Sequence, residues 1–503
     1  MPRSNLSQRG SEAAAAMSGV SKLADAIRNI YEPSTNPEGV VFLGLADNAL
    51  VRQEILDYLN SRPPHLVGPE LTYADRICAQ TSLLRALAHL YNFVPDGVDH
   101  ATFEAQRKPI LPVTVDHIIV GSGASGALDA LFFCIASAGD GVLLSAPYYN
   151  GFDRDLMSRA GLRIVPVPLG PLAMTTNNSG FEHSGQPCFE DEGLIQHHEE
   201  ALAKAKREGI TVRALLLCNP HNPTGAIISR DAVVKLCKFA SKHKLHLVSD
   251  EIYSRTIFET DLVSKPHEFY SILSIDVLKE AGLDPSYVHV ITSASKDFCI
   301  NGFRLGVMIS QHNSELILAM TEISILSQSS SAAGALWRDW IWDDAFLKWF
   351  LGENRMRLRA MFEYTARFMS HHKIPFGPSN SGHFCLIDLS TYLKAPTFAA
   401  EDSLLGKLIE HKVFIAPGEQ YHTQDPGLFR FTFSQPPGIV REGLIRLERA
   451  LSLEAWVADQ PLPSWNGPPK DVVKASNEFR DRLSSRDASH SLGQLSIGDP
   501  ETV

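Results

Sequence analysis

No stretch of this chain approaches the ~18 consecutive apolar residues of a membrane-spanning helix, so such a span is excluded. Basic charge is not in excess either: 46 Lys and Arg stand against 57 Asp and Glu, a formal net charge of −11. A general nucleic-acid binder needs a basic face and is excluded with it. Cysteine is sparse. The seven residues (Cys78, Cys134, Cys188, Cys218, Cys237, Cys299, Cys385) are odd in number and scattered, with no C-x-x-C pair. That argues against a disulfide framework or a structural zinc site, and for buried thiols in a reducing compartment. No internal repeat is present. The first twenty residues lack an apolar core and carry Glu12, so no secretory leader is expected. The C-terminal Glu501-Thr502-Val503 is no peroxisomal address. The expected location is the cytoplasm, with a mitochondrial leader as the minor alternative.

What is present is a long chain of ordinary globular composition. Its 503 residues are 44% hydrophobic and 20% charged, and at ~150 residues per domain they allow two or three domains. Short β-branched runs alternate with helical stretches, the pattern of an α/β protein with a mainly parallel sheet. The clearest runs are His117–Val120, Val142–Ala146, Arg163–Val167, Ala214–Cys218, Leu245–Ser249, His289–Thr292 and Leu305–Ser310. Several are apolar on both faces, as strands covered by helices on each side should be. Between Ser314 and His372 the pattern turns helical, and Trp337, Trp340, Trp342 and Trp349 read as helix packing. Strands and then a helix over Ile439–Leu453 suit a second, smaller α/β domain. The expected division is a disordered tail at 1–20, an N-terminal segment at 21–72 joining the small domain, a large domain at 73–340, the small domain at 341–466, and a disordered tail at 467–503. Residues 171–190, rich in Pro, Ser, Asn and Gly, read as an inserted surface loop.

Gly121-Ser122-Gly123-Ala124-Ser125-Gly126 matches G-x-G-x-x-G between a strand and a helix, where a dinucleotide fingerprint belongs. That fingerprint also needs an acid at the end of the next strand. The next strand ends Leu144-Ser145-Ala146-Pro147, and Asp140 precedes it. The dinucleotide reading therefore fails. A glycine-rich turn feeding a helix N-terminus remains, favourable for a phosphate, with Ser125 and Gly126 as the natural donors. A plain tight turn without ligand is the alternative.

Four further segments fall near strand ends or among aromatics: Asn219-Pro220-His221-Asn222-Pro223-Thr224-Gly225, Ser249-Asp250-Glu251-Ile252-Tyr253, Ser293-Ala294-Ser295-Lys296 with Arg304 beyond, and Phe429-Arg430-Phe431. Each alone has a dull explanation as a cap, a solvated charge or a surface pair. Collected at the carboxyl ends of strands in one open sheet, they point to one site.

These residues resemble the fold-type I pyridoxal-phosphate (PLP) enzymes of the class I/II aminotransferase family. Within it they are most similar to 1-aminocyclopropane-1-carboxylate (ACC) synthases and related fungal enzymes. The likeness runs from about residue 35 to 450. Beyond the segments above it rests on Gly44-Leu45-Ala46-Asp47-Asn48, Leu71-Thr72-Tyr73, Pro147-Tyr148-Tyr149-Asn150-Gly151-Phe152-Asp153-Arg154-Asp155 and Pro417-Gly418. It implies an aspartate-aminotransferase-like fold, with a seven-stranded, mainly parallel sheet in a large PLP-binding domain. It implies that Lys296 holds the cofactor covalently and moves protons at the substrate Cα, while Asp250 pairs with the ring nitrogen. Asn222 and Tyr253 are expected on the phenolic oxygen, Tyr149 on the ring face, and Ser125, Gly126, Ser293 and Arg304 on the phosphate. Arg430 is expected on the substrate α-carboxylate. Tyr73 would reach the phosphate of a neighbouring subunit, which implies a homodimer with shared active sites.

Residues common to the family do not select the reaction. In ACC synthases the segment resembling Gly44-Leu45-Ala46-Asp47-Asn48-Ala49-Leu50 reads G-L-A-E-N-Q-L, and its Glu engages S-adenosylmethionine. Here Ala46 and Asp47 occupy the substrate side, with a carboxylate one methylene shorter and Ala49 in place of an amide. About 1 Å at a reacting centre can cost ~100-fold in rate. Cys299-Ile300-Asn301-Gly302 departs as well from the usual G-L-x-G after the lysine. The expectation is an aminotransferase acting on an α-amino acid, with ACC-synthase-like elimination or carbon–sulfur lyase chemistry as runner-up. A non-catalytic PLP-fold binding or regulatory protein is the alternative of a different class.

Overall fold

Six apolar runs buried along most of their length, and a seventh at the sheet edge that alternates between buried and exposed residues, pair into one sheet. In a computed structural model, residues 5–18, 21–61, 66–92, 108–176, 181–183, 186–190 and 193–485 are described. The strands are β1 (Ile118–Ser122), β2 (Gly141–Ala146), β3 (Arg163–Pro168), β4 (Val212–Cys218), β5 (His246–Asp250), β6 (Val288–Ser293) and β7 (Leu305–Ile309), in the order β1-β7-β6-β5-β4-β2-β3. Only β7 runs against its neighbours; the other pairings are parallel. Parallel neighbours need crossovers, and helices such as Gly123–Ile135, Gly193–Arg207 and Arg230–His243 supply them. These helices cover the sheet and account for strands without polar alternation. All seven expected runs are strands, with ends within about two residues of those read from the pattern.

The second core gathers around a small antiparallel sheet, Phe384–Asp388, Leu428–Thr432 and Ala416–Pro417. Val41–Phe42 pairs in parallel with Val413–Phe414, so the N-terminal segment is built into this second unit. The helix Pro437–Leu451 packs Val440, Leu444 and Leu447 against it.

The boundaries between the cores fall inside elements. Leu50 belongs to the second core, but Val51, Ile55 and Tyr58 belong to the first. The helix Asp344–His371 has 28 residues, roughly 42 Å of axis at 1.5 Å per residue. It puts Phe346, Leu347 and Phe350 in the large core and Leu358, Phe362 and Phe368 in the small one.

The tails and the insert differ from expectation. Gln8–Ser18 is helical, and so is Lys470–Ser485. The latter is pinned by contacts distant in sequence: Ser476 donates to Asp343, and Arg480 donates to the Tyr58 carbonyl at 2.6 Å. Within the insert, Phe181–His183 pairs with Val263–Lys265, and Cys188 and Phe189 are buried in the large core. Surface polarity in the sequence conceals these anchors. Residues 1–4, 19–20 and 486–503 of the expected tails lie outside the described residues. Among the described residues no helix is long and apolar enough to cross a membrane. Trp337 and Trp340 are fully buried and pack edge-on to Phe298 at 5.3 and 5.6 Å.

Candidate active site

Adjacent parallel strands bring their carboxyl ends together. Cys218 at the end of β4 pairs with Asp250 at the end of β5, and Asp250 with Ile291 of β6. The residues that follow these strands emerge side by side, on the sheet edge where open α/β folds bind ligands. They line a cleft of about 570 Å³ whose other wall comes from the second core.

Lys296 stands on the short helix Ala294–Asp297 after β6. Ser293 caps that helix, its hydroxyl accepting from the Ser295 N–H at 3.0 Å. The Lys296 amine donates to the Ala46 carbonyl. Burial and the Arg430 guanidinium lower it to about 8, against the pull of Asp47. Asp250 is also buried, and its carboxylate accepts from the Ile252 N–H at 3.2 Å. Desolvation pushes it up to about 7, with Asp155, Glu251 and Asp297 adding to the rise. Tyr253 meets His383 and Phe384 edge-on, each at 5.4 Å between ring centroids.

The proline-rich turn is locked by its own side chains. Asn219 bonds Ile228 through both its amide groups, at 3.0 and 3.2 Å, and His221 meets Thr224 at 2.9 Å. Asn222 is left to face the cleft, where its carbonyl accepts from Arg430 at 2.9 Å. Arg430 also donates to the Gly44 carbonyl at 2.7 Å, and its guanidinium lies between the Phe384 and Tyr421 rings, at 4.6 and 4.5 Å. Its Nε has no hydrogen-bond partner.

Two glycines make the opposite wall possible. A Cβ at Gly151 would collide with the Tyr149 ring, and one at Gly123, whose φ is +73°, with the Arg304 guanidinium. Arg304 donates to the Asn301 carbonyl at 2.8 Å and lines the cleft.

Of the residues singled out from the sequence, the cleft collects Ala46, Ser125, Tyr149, Asn222, Asp250, Tyr253, Lys296, Arg304 and Arg430. The others stand differently. The Ser125 hydroxyl is given to Asp155 at 2.8 Å. Gly126 and Ser293 are outside the lining, the latter spent on its cap. Asp47 is bound by Arg52 at 2.6 Å and by Asn301 at 2.7 Å, also outside the lining. Tyr73 is 90% exposed and borders a separate hollow. Sequence reasoning passed over Asp155, signalled only by the Asp153-Arg154-Asp155 cluster, and Tyr421. It also passed over His383, which has no local signal. The His383 imidazole is fully buried, with the Ala46 backbone as a polar neighbour. Burial and the Lys296 charge hold it well below the usual range, and so neutral.

Residues 79–446 match the family described as "Aminotransferase class I and II". The chain belongs to that family. Among relatives of this aminotransferase-family chain, 1-aminocyclopropane-1-carboxylate synthase 11 of Arabidopsis thaliana is 34% identical over 412 residues, covering 81% of this chain and 83% of that one. The 1-aminocyclopropane-1-carboxylate synthase of Glycine max is 32% identical over 409 residues, 81% and 79% of the two chains. Among solved structures, Bna3p of Saccharomyces cerevisiae superposes with a TM-score of 0.68 at 17% identity, over 90% of this chain and 100% of that one. A single mutant of Thermus thermophilus aspartate aminotransferase gives 0.64 at 21%, over 89% and 100%. The fold is therefore fold-type I, and the chain is a PLP-dependent enzyme.

The cleft fits that cofactor on its own chemistry. Asp250 is a buried acid whose ionised form lacks a cationic partner, as a ring nitrogen would provide. Lys296 is an amine whose pKa is lowered to about 8, suited to an aldehyde, and Arg304 is a cation set against a glycine turn, suited to a phosphate.

Proposed function

We propose that this chain is an aminotransferase acting on an α-amino acid, with Lys296 as the proton-transferring residue. The observation that carries the reading is the state of Lys296: a buried amine opening on the cleft with its pKa lowered to about 8. Near neutral pH about a tenth is already unprotonated, far more than for an ordinary lysine, so it can take a proton from the substrate Cα and return it elsewhere. Bound in this cleft, PLP supplies the electron sink that makes the Cα proton labile. Asp250 would hold a ring nitrogen protonated, and Asn222 and Tyr253 would bond the phenolic oxygen. Tyr149 would cover the ring face. Arg304 and the 122–126 turn, with Gly126 and Ser293 beside it, would hold the phosphate. Arg430, kept planar between two aromatic rings, would receive the α-carboxylate as a fork and so fix which Cα bond faces Lys296.

Asp47 favours transamination over the runner-up. Its carboxylate is paired with the Arg52 guanidinium and hydrogen-bonded by the Asn301 amide, and it is outside the cleft lining, which supports a reading in which it does not engage a sulfonium. The lyase reading keeps the support of the ACC-synthase relatives. A ¹⁵N-labelled amino-acid panel separates the two: transamination requires the label to appear in an added 2-keto acid. Release of labelled ammonia with no acceptor present would overturn it in favour of elimination.

We place the enzyme in the cytoplasm on its cysteines, which are few, scattered and without a C-x-x-C pair. It would work as a homodimer. Tyr73, Leu71 (78% exposed) and Leu326 (75% exposed) offer apolar area that a second copy would cover.

A further inference from the structure

The apolar side chains that line one part of the cleft have no role in the chemistry above. Leu23 and Ile27 stand one helical turn apart on Ser21–Arg28 and face it, joined by Phe42, Leu45 and Phe414. Phe42 and Phe414 stack at 4.7 Å, 9° from parallel. Ile27 is 48% exposed and Leu45 55%. Apolar side chains left open inside a binding cleft, next to the group that would take the substrate carboxylate, are unfinished packing.

The charges nearby are already matched. Arg430 would hold the α-carboxylate, and Asp47 is tied to Arg52 and Asn301. Arg154 lies 3.6 Å from Asp155, which Ser125 also engages. A charged substrate side chain would meet no dedicated counter-ion among these residues and would lose water to an apolar wall. The wall itself is anchored. Lys22 bonds Asp402 at 2.7 Å, and Ala26 is buried in the second core, so the helix 21–28 is held on the small domain as a roof over the cleft.

We infer that Leu23, Ile27, Phe42, Leu45 and Phe414 form the substrate side-chain subsite, and that the enzyme selects α-amino acids with bulky uncharged apolar side chains, aromatic or long aliphatic. This rests on the assignment of Arg430 to the α-carboxylate and leaves the choice between transamination and elimination open.

Calorimetric titration of the holoenzyme with unreactive carboxylates tests it without reference to turnover. Propionate reports the carboxylate site alone, 3-phenylpropionate adds an apolar ring, and succinate adds a charge. The ring is expected to tighten binding about tenfold or more over propionate, and succinate to bind no better than propionate. The uncharged replacements Ile27→Asn and Leu45→Asn should each remove most of that gain and change propionate binding far less. Propionate binding that is intact and sensitive to Arg430→Leu, with no gain from the ring or with succinate tightest, overturns the subsite alone. Propionate binding indifferent to Arg430→Leu overturns the underlying carboxylate assignment, and the subsite with it.

Discussion

At the residue scale, the two buried charges of the cleft carry opposite burdens. Asp250 is raised to about 7 by desolvation, so the folded apoprotein holds a proton that the unfolded chain gives up near pH 4. Between those values the folded state binds more protons, and stability falls as pH rises. Replacing Asp250 by Asn removes the penalty. The apoprotein of Asp250→Asn should therefore be more stable than wild type, by a margin that widens by on the order of 2 kcal/mol between pH 5 and pH 8. Denaturant unfolding at the two pH values measures it. The same variant should hold PLP more weakly, because a neutral amide does not keep a ring nitrogen protonated. Arg430 presents the reverse case, a cation already matched by Asn222, Gly44 and two rings. Arg430→Leu should raise KM for the amino acid roughly 100-fold, the effect of truncating one partner of a buried charged pair, and leave the cofactor's absorbance in place. Loss of the cofactor band in this variant would place Arg430 on the wrong ligand.

At the element scale, the helix Asp344–His371 is the beam that joins both cores, and one carboxylate begins it. Asp343 accepts from the Phe346 N–H at 3.1 Å as its N-cap, and from the Tyr58 hydroxyl at 3.1 Å and Ser476. Asp343→Ala removes the cap and leaves the buried Tyr58 hydroxyl without its acceptor. The expected cost is about 2 kcal/mol, read as a lower denaturant midpoint with an unchanged cofactor band. The same cluster shows what a sequence conveys. Six of the strands were legible because a strand buried on both faces must be an unbroken apolar run; the edge strand Arg163–Pro168, buried only at Val165 and Val167, was legible from its β-branched residues. The glycine turn and the strand-end Asp250 and Lys296 were legible for a similar reason: chain geometry alone puts them at one edge. The helix Lys470–Ser485 was not. Its anchors are Asp343 and Tyr58, over a hundred residues away, and its own composition is that of a solvated tail. Ser125, read as a phosphate donor, lines the cleft, yet its hydroxyl turns to Asp155, thirty positions on. His383 stands between a glycine and a phenylalanine that say nothing of Lys296. Proximity in the fold decides such partners, and no local pattern records it.

At the scale of the whole molecule, Tyr73, which the family likeness calls for at a phosphate, is absent from the cleft lining of its own chain. Tyr73 stands on the surface beside a hollow of about 450 Å³ formed with Gln328 and Ser330, outside the cleft of its own chain. If it completes a neighbour's phosphate site, the protein runs at about twice 55.4 kDa in light scattering, and a defect in Tyr73 and a defect in Lys296 lie in different halves of each site. Homodimers of Tyr73→Ala should then retain PLP poorly, and homodimers of Lys296→Ala should be inactive. Mixed from the two chains, a heterodimer contains one site with both defects and one with neither. Unfolding and refolding the variants together should restore activity to about one quarter of wild type. Random pairing makes half the dimers mixed, and each mixed dimer carries one intact site of two. Refolding either variant alone should restore none. A mixture no more active than its parents would mean that Tyr73 serves its own chain or none, and each cleft would then be complete without its neighbour.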